Sequence, residues 1–266
     1  MAWLVSYRPW YPAWRGIEVA PAAARPYAAG EMDVPDVVSP SASVRERSQS
    51  GRRRLALALA GLAGAACAPW RSAGDAVPEG IKGPFSVVLD AGHGGRDPGA
   101  TSPVAPVIEK EVALRVALLT GAALQRQGVG VVYTRQDDRF IPLAARAALA
   151  GRSGASLLLS VHVNAASDPT VRGAEAWHRP GGAGAALASA TLAALAPVLQ
   201  GHDLAVRGPR DGSHLAVLRA GVPAVLVELG YLTNRQEARL LTRPAYLEEL
   251  ARGLVAGVTR YRDGAA

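Results

Sequence analysis

Cysteine is almost absent from this 266-residue chain, and Cys67 stands alone. A single cysteine rules out an intrachain disulfide, so pairing gives no reading of the redox compartment. Its place near the N-terminus also argues against a cysteine nucleophile. No serine sits in a Gly-x-Ser-x-Gly elbow, which removes the usual frame for a nucleophilic serine on an α/β fold. No His-Glu-x-x-His run occurs, so a zinc helix of the thermolysin kind is excluded. Internal repeats are lacking as well. The net charge of +7 and pI of about 10.1 would ordinarily raise nucleic-acid binding. Yet residues 1–72 hold nine arginines against five acidic residues, a balance of +4, which leaves only +3 for the other 194. No basic-aromatic stripe remains in that larger part, and no nucleic-acid partner is expected.

What the chain does have is four polar residues placed at or near the ends of apolar runs. The first run, Val87-Val88-Leu89-Asp90-Ala91-Gly92-His93-Gly94-Gly95, breaks into glycines around a histidine. Ile108-Glu109-Lys110-Glu111 directly precedes a helical pattern. Leu157-Leu158-Leu159-Ser160-Val161-His162-Val163-Asn164 carries the second histidine, and Pro223-Ala224-Val225-Leu226-Val227-Glu228-Leu229-Gly230 a further glutamate. Any one of these alone is more often a solvated loop residue or a satisfied polar group than a ligand. Together they point to a site, because ligands gather beyond the carboxyl ends of parallel strands in open α/β sheets. Two His and one Glu form a ligand set used by catalytic zinc, which leaves a position open for water. A second Glu could then act on that water.

The periodicity predicts short buried strands over 87–90, 129–134, 157–161, 173–177 and 224–227. Helices are expected over 110–127, 142–151, 183–199 and 244–261, with Asn234 and Glu237 as a helix-start pair of the capping-box kind. The interval 201–212 reads as a short loop. Strands alternating with helices indicate an α/β fold: a single domain over 86–262, with a largely parallel twisted sheet covered by helices on both faces. About 180 residues suffice for one well-buried core.

Residues 86 to about 262 resemble the zinc-dependent N-acetylmuramoyl-L-alanine amidases of the type 3 family, which cut bacterial peptidoglycan. The resemblance rests on Leu89 through Ala100, Glu109-Lys110-Glu111-Val112 and Tyr133-Thr134-Arg135 with Asp138, Leu143 and Arg146. It continues through Ser160 to Ala165, Arg172-Gly173-Ala174-Glu175, Val217-Leu218-Arg219, and Pro223 through Asn234 with Glu237. These motifs stand in the family's order and roughly its spacing over two-thirds of the chain. One departure is the segment before Glu109, residues 101–107, which holds two prolines and lacks the usual glycine-rich turn.

The resemblance implies that His93, Glu109 and His162 bind one Zn2+ per chain and that Glu228 is the catalytic carboxylate. Glu111 is the rival ligand; Glu109 is preferred because Lys110 follows it as the motif requires. The implied reaction is hydrolysis of the amide between N-acetylmuramic acid and L-alanine of the stem peptide. Asp90 and Asn164 are candidates to orient the imidazoles, and Arg172 and Arg219 to meet peptide carboxylates. His178, His202 and His214 read as surface or groove residues. Some relatives carry an inserted helix that plugs the site until an activator binds. Here one helix and a short loop fill that interval, so no plug, no obligatory activator and a monomer are expected. No wall-binding module is expected after Tyr261. Two other readings remain: a zinc hydrolase of the same fold cutting another wall-peptide amide, or a catalytically inert wall-binding protein.

Residues 1–50 show no sustained period and read as a non-native or disordered extension. Gly51-Arg52-Arg53-Arg54 followed by apolar residues 55–66 reads as a secretory signal over 51–72, loosely of the twin-arginine kind. Ala65-Ala66-Cys67 resembles a lipoprotein acceptor site, making Cys67 a candidate lipid anchor. Residues 73–85 form a linker. A signal that begins fifty residues in points to a true start downstream of Met1, at Met32 or near Val44. Export to the periplasm or cell envelope is the expectation, where a modestly positive protein meets an anionic wall.

Overall fold

A computed structural model of the chain describes residues 84–264. The extension over 1–50, the signal over 51–72, Cys67 and nearly all of the linker lie outside the described residues. The remainder builds one six-stranded sheet. In chain order the elements are β1 (Ser86–Ala91), α1 (Glu109–Arg126), β2 (Gly130–Tyr133), α2 (Leu143–Ser153), β3 (Leu157–Asn164) and β4 (Ala174–His178). They continue with α3 (Gly182–Gln200), β5 (Val206–Asp211), a 3-10 turn (Ala216–Leu218), β6 (Ala224–Tyr231), α4 (Arg235–Leu240) and α5 (Pro244–Arg262).

The strand order is β2-β1-β3-β6-β4-β5. Every neighbouring pair is parallel except β4 with β6, which is antiparallel. Beside the expected α/β fold with its largely parallel sheet, the structure therefore has one antiparallel seam. β1, β3 and β6 run side by side and are buried along nearly their whole length, which is why their sequences are continuous aliphatic runs rather than alternating ones. Successive side chains leave opposite faces. Val88, Leu158, Ala224 and Leu226 meet Ala147 and Ala150 of α2 and Val217 and Leu218 of the 3-10 turn on one face. Helices α1, α3 and α5 pack on the other face, where α5 lies against both α1 and α3.

The 19-residue α3 is long and apolar enough by composition to cross a membrane. Its Leu187, Leu192, Leu195 and Leu199 are buried, and it packs on β4, β5, β6 and α5. That burial accounts for its apolar character. The interval read from sequence as a loop, 201–212, contains β5. Its sequence, Val-Arg-Gly-Pro-Arg-Asp, has no apolar alternation, and most of the strand is exposed. Proline and charge are tolerated there because β5 is the edge strand and pairs only with β4. The expected capping box forms only in half. Asn234 Oδ1 accepts from the backbone of Gln236 and Glu237 at 3.1 and 3.2 Å. The Glu237 carboxylate turns away, accepting instead from Gly173 N at 3.0 Å and Tyr231 N at 2.8 Å.

Candidate active site

Because β1, β3 and β6 are parallel neighbours, their carboxyl ends lie along one edge of the sheet. His93 follows β1 by two residues, His162 lies near the end of β3, and Glu228 is the register partner of His162 on β6. Glu109 is the first residue of α1, and a backbone bridge between Thr101 and Ile108 closes the proline-bearing segment just before it. The structure thus brings together groups 135 residues apart in sequence.

Candidate ligand atoms of His93, Glu109 and His162 all lie within 4.8 Å of one another. Glu109 Oε1 is 3.0 Å from His93 Nε2 and 2.8 Å from His162 Nδ1, and the two imidazoles meet edge to face at 4.9 Å. Glu109 also accepts backbone N–H bonds from Ala100 at 2.8 Å and Val163 at 3.1 Å. Burial pushes its carboxyl up, but the hydrogen bonds from His162 and His93 more than offset this and bring it down to about 2. His93 responds in kind. Burial lowers it, and the hydrogen bonds and charges of Glu109 and Asp97 carry it above its usual value. Glu111 is exposed and stands outside this cluster.

Two glycines make the cluster possible. A Cβ on Gly92 would lie 2.4 Å from the His162 ring, and one on Gly99 would lie 2.5 Å from Glu109 Oε2 and 2.7 Å from the His93 ring. His93 itself has φ of 57°, a left-handed conformation uncommon outside glycine. It is held there by two buried arginines. Arg146 donates to His93 O at 2.6 Å, Ala91 O at 2.6 Å and Asp90 Oδ1 at 2.8 Å. Arg135 donates to Ala91 O, Gly92 O and Lys110 O at 2.9, 2.6 and 2.8 Å. Lys110 Nζ reaches Gly95 O at 3.0 Å and Asp138 at 2.7 Å, while Asp138 accepts from Gly95 N. Motif residues that carry no chemistry of their own therefore tie the histidine loop to the start of α1.

The structure corrects the orienting partners read from sequence. Asp90 touches neither imidazole; it accepts from Thr134 Oγ1, Arg146 and Ser160 Oγ at 2.7, 2.8 and 2.6 Å. Asn164 accepts from Ala165 N. Asp97 is the residue at the outer nitrogen of His93, with Oδ1 2.9 Å from Nδ1. It lies four residues along the same loop, and its spacing alone does not mark it, because the left-handed turn at His93 to Gly95 is what folds it back. None of His178, His202 and His214 joins the cluster. His178 pairs with Arg179 O, His202 with Glu249, and His214 meets Trp177 edge to face.

Glu228 keeps some exposed surface, but its Oε2 is shut off from solvent and has no hydrogen-bond partner. Burial pushes its carboxyl up to about 7. Across the antiparallel seam its register partner is Glu175, a buried residue whose Oε1 accepts from Arg207, Arg210 and the Tyr231 hydroxyl. Burial alone would raise Glu175, yet those hydrogen bonds and the Arg210 charge hold it low. Arg207 and Arg210 have no helical or strand signal around them, so the sequence does not mark them as site residues.

Comparison with known proteins follows the same boundaries. The family model for N-acetylmuramoyl-L-alanine amidase, Amidase_3, matches residues 87–260. The chain is 34% identical over 181 residues to the uncharacterized protein YqiI of Bacillus subtilis (strain 168), covering 67% of this chain and 85% of that one. It is 29% identical to the N-acetylmuramoyl-L-alanine amidase AmiA of Escherichia coli (strain K12), covering 66% of this chain and 75% of the relative. Among solved structures, the catalytic domain of the amidase CwlV from Bacillus (Paenibacillus) polymyxa var. colistinus superposes with a TM-score of 0.63 at 34% identity, covering 67% of this chain and 98% of that domain. The amidase AmiC2 of Nostoc punctiforme gives 0.63 at 32%, with 68% and 98% covered. With a family match spanning more than half its length and ending where the sheet and its helices end, this chain belongs to the Amidase_3 family of N-acetylmuramoyl-L-alanine amidases.

Proposed function

We propose that this chain hydrolyses the amide between N-acetylmuramic acid and the L-alanine of the stem peptide, with one zinc ion held by His93, Glu109 and His162 and with Glu228 as general base and acid. The observation that carries this reading is the cluster of two imidazoles and a carboxylate within 4.8 Å, beside a shielded carboxyl oxygen on Glu228 that has no partner. The donor set fits zinc: two imidazoles and a carboxylate converge, the Asp97 carboxylate lies 2.9 Å from the outer nitrogen of His93, and Gly92 and Gly99 leave the space a Cβ would fill. Zinc in such a site supplies Lewis acidity, which polarises a carbonyl and makes water nucleophilic near neutral pH.

The chain's own residues do the rest. Glu228, a shielded carboxyl raised by burial, takes the proton of the attacking water and delivers it to the departing alanine nitrogen. Arg135 and Arg146 keep the His93 loop from relaxing out of its left-handed turn. No side-chain nucleophile takes part. The chain acts in wall remodelling or daughter-cell separation, is exported by the signal over 51–72, and works as a monomer without an activator.

The test is digestion of purified peptidoglycan by the full chain, zinc-loaded against chelator-treated, with Glu228→Ala alongside. Release of stem peptides with new L-alanine amino termini, lost on chelation and in the variant, is the expected result. Release of other fragments would assign a different wall-peptide amide. Tightly bound zinc with no release, or activity only with an added partner, would overturn the reading of a self-sufficient amidase.

A further inference from the structure

Beyond Glu228, on the side away from His162, the sheet carries charged groups that the hydrolysis leaves unused. The register places His162 of β3, Glu228 of β6, Glu175 of β4 and Gly208 of β5 in one row across four strands. Directly opposed residues share a face of the sheet, so Glu175 stands on the same side as the catalytic carboxyl. Its Oε1 accepts from Arg207 Nε at 2.7 Å, Arg210 Nη2 at 3.2 Å and Tyr231 OH at 2.9 Å. One carboxylate thus serves two guanidinium groups, and no other carboxylate among the described residues lies within ion-pair distance of either. A unit of positive charge is left over. Both arginine side chains keep a third or more of their surface, 36% for Arg207 and 41% for Arg210, while Glu175 is buried.

The local backbone exposes these arginines rather than hiding them. Ala174 pairs with Val206 but Glu175 with Gly208, so Arg207 is the extra residue of a bulge. Bulges re-aim side chains and are common beside active sites. In the row position next to Glu175, Gly208 has no side chain, and a Cβ there would meet nothing within 4 Å. The floor beside the two guanidinium groups is open.

We propose that Arg207 and Arg210 form a binding site for a free carboxylate of the substrate's stem peptide, with Glu175 and Tyr231 as the positioning residues that hold the guanidinium groups. Guanidinium forks match carboxylates in geometry and charge. Two strand spacings separate the β6 and β5 positions, roughly 10 Å. An extended peptide covers about 3.3–3.6 Å per residue, so the span is about three residues, or about two where the arginine side chains reach back toward the scissile amide. Arg172 and Arg219, the arginines the sequence favours for this duty, do not share the Glu175 carboxylate. Arg172 reaches Gln236 at 2.9 Å and Asp203 at 3.8 Å, and Arg219 is an exposed residue following the 3-10 turn. The assignment rests on the amidase reading above for the identity of the ligand.

The test is calorimetric titration of the zinc-loaded full chain with two free tripeptides, alanyl-γ-glutamyl-lysine of stem stereochemistry and the same peptide with the glutamyl α-carboxylate amidated, both capped at the C-terminus. The acid is expected to bind about tenfold more tightly, the size of one charge-assisted hydrogen bond. Arg210→Met removes that preference, and Arg210→Lys retains part of it. Equal binding of the two peptides, no binding of either at millimolar concentration, or a preference that survives Arg210→Met would each overturn the site. With the muramyl forms of both peptides as substrates, Arg210→Met raises KM for the acid about tenfold relative to the amide. If neither muramyl form is cleaved, the amidase reading fails while the titration still decides the carboxylate site, because it involves no turnover.

Discussion

At the β2-β1-β3 end of the sheet all strands are parallel and the loop after β1 is clamped by buried arginines, whereas at the β4-β5 end direction reverses and the last strand lies exposed. Arg135 and Arg146 make seven hydrogen bonds between them to backbone carbonyls and one to Asp90. Their counterparts Arg207 and Arg210 share a single carboxylate and face solvent. The same residue type thus serves two ends. Where a guanidinium is buried with each of its nitrogens bonded, it fixes geometry for chemistry. Where it is half-paired at an open edge, it is available for recognition. Buried, satisfied networks specify one arrangement, and exposed edges tolerate change.

Five measurements test that contrast. The largest effect belongs to the chemistry. On the proposed mechanism, Glu228→Gln should lower kcat by about 10³-fold, the middle of the range for a lost general base, with zinc content by elemental analysis unchanged. Next comes the clamp. Arg146→Met leaves Asp90 buried without its charge partner, so urea denaturation should show a loss of about 3–5 kcal/mol.

At the other end, burial pushes Glu237 up to about 7 against an ordinary value of 4.5, and its two backbone donors offset this only in part. A carboxyl raised in the native state favours folding in its neutral form. Its contribution is therefore complete below the unfolded value and is lost as pH rises from 4.5 through about 7. The slope amounts to roughly 3 kcal/mol over that window, and Glu237→Gln should flatten it in denaturation midpoints measured from pH 4 to 8.

Smaller still is Asp97→Ala, which removes the carboxylate behind His93 and should weaken zinc about tenfold in competition with a chelator. Smallest is Val206→Thr on the exposed edge strand, expected to move stability by less than about 0.5 kcal/mol. A large loss there would mean that the β5 edge is as tightly built as the β1 end.

Much of the site is legible in the order of residues alone. His93, His162 and Glu228 each interrupt an aliphatic run, and a parallel sheet places such interruptions on one edge. Lys110 distinguishes Glu109 from Glu111, and the structure puts Glu109 with the imidazoles while Glu111 stays outside. Less legible are the partners. Asp90 and Asn164 stand close to the histidines in sequence yet bond elsewhere, because in a strand the residue two or three positions away is set by the pleat and by the neighbouring strands. Asp97 reaches His93 only through a left-handed turn that its glycines permit.

The buried strands, the four long helices and the α/β class are legible in the sequence because each is a local signal, a run, a period, or a break in either; the roles of His93, Glu109, His162 and Glu228 come from the resemblance. Only the tertiary structure decided the reversed direction of β4, the existence of β5, the turning of Glu237 toward Gly173 and Tyr231, and the grouping of Glu175 with Arg207 and Arg210. An aliphatic run carries no sign of whether its partner is parallel, and an edge strand of glycine, proline and arginine carries no period at all. Most of those contacts join segments more than thirty residues apart, which meet only once the sheet has formed.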